Sequence, residues 1–169
     1  MRMNLIAIAL LAMSAAAPAA DDKSNDSADA AAAWQRLKTL VGEWEADGPM
    51  GKMNTTFELI GGGTALVEHE RHADMPEMMT VYHLDGKRLL LTHYCMAGNQ
   101  PRMEAKSYDA ATGRLEFRFL DITNLAGPTA AYMRNASFRL IDDKHMSAAW
   151  EFHRDGKTES HDMQYVRVK

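Results

Sequence analysis

The sequence predicts an all-β fold, an antiparallel up-and-down β-barrel of about ten strands behind one short helix. Three observations carry that expectation. From Gly42 to the C-terminus apolar and polar residues alternate with period two, and Gly, Asp or Asn interrupt the alternation at short intervals. The interruptions, such as IGGGT, DGK, DAATGR and DDK, are of hairpin length, so successive runs become antiparallel neighbours. Ahead of Gly42 the spacing is helical instead, with Trp34, Leu37 and Val41 recurring on one face.

The elements follow in order. MRMNLIAIALLAMSAAAPAA combines an early Arg2, an apolar run and small residues at Ala17 and Ala19, the pattern of a secretory signal, so residues 1–20 are expected to be removed. Its apolar run is too short for a bilayer-spanning helix of ~20 residues. Residues 21–29 are polar and alanine-rich, a flexible lead, and residues 30–169 form the barrel domain, opening on a helix that Ser27 caps and Gly42 stops. The strand runs are GEWEADG, KMNTTFELI, TALVEHERH, EMMTVYHL, RLLLTHYC, RMEAKSYD, RLEFRFLD, AYMRNASFRLI, HMSAAWEFHR and KTESHDMQYVRV. So many hairpin-linked strands close most economically into a barrel, which removes the exposed edges.

Composition narrows the function. The formal net charge is −4 and no basic stripe stands out, which argues against a nucleic-acid partner. The single cysteine, Cys95, cannot form an internal disulfide in the periplasm or outside the cell, so it is either a buried, inert thiol or available for chemistry. Thirteen methionines suggest a pliable apolar interior that suits a cavity.

The opening GEWEADG, with Gly42, Trp44 and Gly48 behind a helix, resembles the G-x-W start of the calycin superfamily, which includes lipocalins and fatty-acid-binding proteins. The strand count is similar to that of nitrobindin, although Ala46 stands where that pattern has glycine. The central run MMTVYHLDGKRLLLTHYCMAGNQPRM is similar to small secreted bacterial lipocalin-like proteins of unassigned function. The resemblance spans Trp34 to the C-terminus and implies a barrel with an internal cavity. In nitrobindin it implies a haem held by a histidine late in the chain.

Turn chemistry assigns the faces. Reading LDGK as a three-residue loop puts Met79, Val81, His83, Leu89, Leu91, His93 and Cys95 on the inner face. His93 and Cys95 at i and i+2 supply two ligands where zinc needs three or four, which favours a hydrogen-bonded core histidine beside a buried thiol over a metal site. The same loop in HRDGK puts Trp150, Asp162 and Gln164 inward and His161 outward, so a haem would have to use His93. Arg134 shares its face with Tyr132, Ala136, Phe138 and Leu140. An inward Arg134 either pairs with Asp162 or receives an anionic ligand. Gln100 and Arg102 are not demanded by the turn AGNQPR and are expected at the barrel mouth, while EHERH is read as a solvated edge. Trp44 is expected inward, under the helix.

The expectation is thus an exported barrel that binds a small hydrophobic or amphiphilic ligand, anionic ones included, through Trp44, His93, Cys95, Gln100, Arg102, Arg134, Trp150, Asp162 and Gln164. The alternatives are a haem or nitric-oxide-binding barrel and an enzyme with a cavity His or Cys. No nucleophile elbow, zinc-protease motif or phosphate loop is present to favour the enzyme, and the oligomeric state is left open.

Overall fold

The computed structural model describes residues 24–49 and 51–169. The segment read as a signal, 1–20, lies outside the described residues. Helix α1 (Ser24–Lys38) precedes ten strands: β1 (Gly42–Gly48), β2 (Gly51–Ile60), β3 (Ala65–Arg71), β4 (Met78–Asp85), β5 (Arg88–Tyr94), β6 (Gln100–Asp109), β7 (Arg114–Thr123), β8 (Tyr132–Leu140), β9 (His145–Arg154) and β10 (Lys157–Arg167). Each strand pairs antiparallel with the next, and β1 pairs with β10, so the sheet closes on itself. The fold class is the one the alternation predicts. Among the described residues no helix is long and apolar enough to cross a membrane.

Helix α1 includes 24–29 of the stretch read as a lead. Its spacing places Ala30, Ala33, Trp34 and Leu37 on a buried face, and it packs on β4, β5 and β6. Val41 is exposed, because the helix ends at Lys38 and Leu40 turns inward instead. Trp44 is buried as expected; its indole N–H donates to the Leu40 carbonyl at 2.7 Å and its ring meets Phe57 edge-on. Arg167, near the end of β10, lies 4.3 Å from the Trp44 ring centre. Its guanidinium donates to the carbonyls of Thr39, Val41 and Asp143, each at 2.6 Å, tying the last strand to the first turn. Gly42 has φ +138° there, and a Cβ would stand 2.3 Å from the Lys169 carbonyl oxygen, so no other residue fits this closure.

The lumen is filled rather than open. Tyr82, Phe117, Phe138 and Trp150 form a chain of tilted and edge-to-face ring contacts, with centroids 5.8–6.2 Å apart. Leu66, Leu89, Leu91, Met103 and Leu115 close the space around them.

Two hairpins depart from the expected register for one reason. The loop after β4 has two residues, Gly86 and Lys87, so Asp85 faces Arg88, Tyr82 faces Leu91 and Thr80 faces His93. Leu89, Leu91 and His93 stay inward, but on β4 the inner residues become Met78, Thr80 and Tyr82. The β9–β10 loop is also two residues, Asp155 and Gly156, both at positive φ as a type I′ turn requires. Trp150 then faces His161, Ala148 faces Met163 and Met146 faces Tyr165. A one-residue error in a turn exchanges the two faces of the strand counted through it.

Candidate functional site

The end of the barrel away from Gly42 carries a pocket. It is built where the odd strands finish and the even strands begin, from Ala46, Gly48, Met53, Glu70, His72, Met78, His93, Met133, Trp150, His161 and Met163, with Pro49 and Gly51 of the first turn at its rim. Its cavity is about 30 Å³, room for a water or two.

His93 sits at the inner wall, 1% exposed, with Nδ1 hydrogen-bonded to Thr80 Oγ1 at 2.9 Å and its ring 5.2 Å from that of Trp150. Burial lowers its pKa to about 4, so the imidazole is neutral at physiological pH. Its Nε2 is buried and has no partner among the described residues. Trp150 Nε1 and His161 Nδ1 are buried and unpartnered too, and both residues line the same pocket. The His161 ring stacks on Phe152 at 5.4 Å, which fixes its plane.

Glu70 and Glu68, two apart on β3, both point into the barrel, so EHERH is not a solvated edge. Tyr82 Oη donates to Glu68 Oε2 at 2.6 Å, while Glu68 Oε1 lacks a partner. Burial, with Glu70 nearby, raises the Glu68 pKa well above the carboxylate range, and burial raises that of Glu70 to about 7. His69 and Arg71, of opposite parity, turn outward to Glu77. Alternation alone could have found these acids, because Leu66, Glu68 and Glu70 share one face.

The remaining candidates disperse. Trp44 lies toward the opposite end, its N–H already satisfied. Cys95 is half-buried beyond the end of β5; Ala97 N–H donates to its Sγ at 3.5 Å, and burial raises its pKa, away from the thiolate. Gln100 accepts from Thr123 Oγ1 at 2.8 Å, and Arg102 is exposed and forked onto Asp121, so neither lines the pocket. Arg134 is exposed, not inward: a bulge between Met133 and Asn135 shifts the alternation, so Met133 takes the pocket position. Asp162 and Gln164 are exposed because the two-residue β9–β10 turn reverses their strand, and Asp162 accepts from Ser160 Oγ at 2.8 Å. Arg134 and Asp162, separated by β9, do not pair. The same reversal brings His161 inward against expectation. Among the described residues no three His, Cys, Asp or Glu side chains are grouped to hold a metal.

No known family profile and no curated protein matches the chain. Solved structures do. The crystal structure of Rv2717c from M. tuberculosis is similar over 81% of this chain and 98% of its own, at 18% identity and a TM-score of 0.57. A protein of unknown function from the DUF3598 family of Nostoc punctiforme is similar over 78% of this chain, at 12% identity and a TM-score of 0.54, and the match takes in 49% of its length. At these identities the likeness is one of fold: this chain is a closed ten-stranded antiparallel barrel similar to theirs.

Proposed function

We propose that this protein is a calycin-like binding barrel that holds one small ligand in the end pocket. One observation supports the reading above the others: three polar atoms, His93 Nε2, Trp150 Nε1 and His161 Nδ1, are buried without partners among the described residues on side chains that line a single, largely apolar cavity, which Glu70 and His72 line too. Buried polar groups are nearly always hydrogen-bonded, so three orphans at one place call for a bound species. Among the described residues the lining has no lysine or arginine, and Arg134 faces away, which removes the basis for an anionic ligand. The ligand is small and uncharged or cationic, with a polar or Lewis-acidic end. Binding sites for organic molecules commonly occupy ~300–1,000 Å³. An organic ligand would therefore need the unbranched methionine side chains to move aside.

Haem is the group that the nitrobindin resemblance implies. Two inward imidazoles with free nitrogens suit it chemically, but a cavity of about 30 Å³ does not accept a porphyrin. The residues as arranged do not fit that group. For an enzyme, the raised thiol pKa of Cys95 disfavours the nucleophile that such a reading needs. The signal-like pattern of residues 1–20 supports a ligand met in the periplasm or outside the cell.

The test is native mass spectrometry of the exported protein, with titration of a neutral, environment-sensitive naphthalene probe. A co-purified mass or saturable probe binding is expected, weakened about tenfold or more in His93→Leu, which removes a hydrogen-bonding group worth on the order of 1.5 kcal/mol. Wild-type probe binding in His93→Leu, with no co-purified mass, would sink the reading.

A further inference from the structure

Four methionines, Met53, Met78, Met133 and Met163, line this one pocket together with His93 and His161. They come from β2, β4, β8 and β10, strands distributed around the closed barrel. Elsewhere the lumen is packed mainly with Leu66, Leu89, Leu91 and Leu115, with Met103 and Met146 as its methionines, while Met53, Met78, Met133 and Met163 all lie at the pocket with the unpartnered imidazole nitrogens. Leucine would fill such a space as well as methionine does. Sulfur is what methionine adds.

Glu70 and His72 also line the pocket, but four thioethers are there as well, and thioether is soft, which favours a soft monovalent cation over magnesium or calcium. His93 Nδ1 is hydrogen-bonded to Thr80 Oγ1, and in the tautomer in which Nδ1–H is the donor the Nε2 lone pair is free, the way a ligating histidine is held. The cavity, at about 30 Å³, is of the scale of an ion rather than an organic molecule. A grouping confined to His, Cys, Asp and Glu would not reveal such a site, because most of its donors are methionine sulfurs.

We propose that the end pocket is a Cu(I) site whose few donors are drawn from the thioethers of Met53, Met78, Met133 and Met163, the last of which also accepts from Tyr165 Oη at 3.6 Å, and from ring nitrogens of His93 and His161. The proposal rests on the reading of this pocket as the ligand site and names the ligand class. It requires no electron transfer, only exchange of the carrier ligands of Cu(I) for neutral sulfur and nitrogen donors.

The experiment is anaerobic titration of the full chain with Cu(I) against bicinchoninate as competing chelator, with Ag(I) as a redox-inert second ion. One ion per chain is expected, with sulfur in the copper X-ray absorption shell. Met78→Leu and Met133→Leu conserve volume and should each weaken binding about tenfold or more, and Thr80→Val should do so by 10–100-fold through His93. Met96→Leu, an exposed methionine outside the pocket, should leave it unchanged. Circular dichroism checks each fold, and the pair Met53→Leu and Met163→Leu serves if the first pair unfolds. Binding of less than one ion, or equal affinity in all the methionine variants, overturns the proposal. If the neutral probe still binds and His93→Leu weakens it, the pocket reading survives and only the copper assignment falls; if neither ion nor probe binds, both fall.

Discussion

Glu70 and His93 both lose water on folding, and burial moves their protonation in opposite senses. The Glu70 carboxyl rises from 4.5 to about 7. Between those values the folded chain keeps a proton that the unfolded chain has released, so this contribution to stability falls as pH rises and is fully lost above about 7. The loss is on the order of 3 kcal/mol. His93 falls from 6.5 to about 4, so in that window the unfolded chain takes the proton first and stability falls as pH drops. Glu70→Gln keeps the shape of the protonated acid and cannot ionise. In urea melts it should be more stable than the wild type at about pH 8 and close to it at about pH 4.5. Equal midpoints at both pH values would show that Glu70 reaches water.

At the scale of the element, strand parity decides which charge matters. The bulge in β8 turns Arg134 to solvent, whereas Arg167 at the end of β10 is half-buried, beside Trp44, and donates to three backbone carbonyls. The same substitution therefore separates them. Arg134→Met should change stability by no more than about 0.5 kcal/mol, the usual range for a surface position. Arg167→Met should cost about 1–2 kcal/mol, since it removes a charged donor shared by three backbone carbonyls at the surface and the guanidinium over the Trp44 ring. Similar losses for the two in denaturant melts would mean that the assigned faces are wrong. Trp44→Ala, at the junction of α1 and β1, should cost about 3–5 kcal/mol as a large buried aromatic does; a loss below about 1 kcal/mol would place the ring on the surface.

For the whole molecule, closure is the organising fact. The β1–β10 ladder leaves no edge strand, and an end tied by α1 and Arg167 contrasts with an end lined by adaptable methionines. Ligand exchange is expected at the latter. The exported form should begin near Ala20 or Asp21, where the small residues Ala17 and Ala19 suit cleavage. Intact mass of protein recovered from the periplasm checks this, and a chain still starting at Met1 would contradict it.

Strand number, order and approximate limits were legible because alternation and hairpin-length gaps are local properties. GEWEADG and HMSAAWEFHR coincide with β1 and β9. The site was only partly legible. His93 and Trp150 lie on the strands whose parity the apolar pattern settles, so their inward direction could be read directly. His161, Met163 and Met133 could not, because their direction depends on a turn of two residues rather than three and on a bulge, differences of one residue that leave no mark in hydropathy. The two DGK motifs make the point: one loop holds Gly86 and Lys87, the other Asp155 and Gly156, from the same three letters. By itself the sequence determined that the chain folds as a barrel, since alternation needs only neighbours along the chain. Which side chains meet in its end pocket was decided by tertiary structure, because closure sets the register of all ten strands at once.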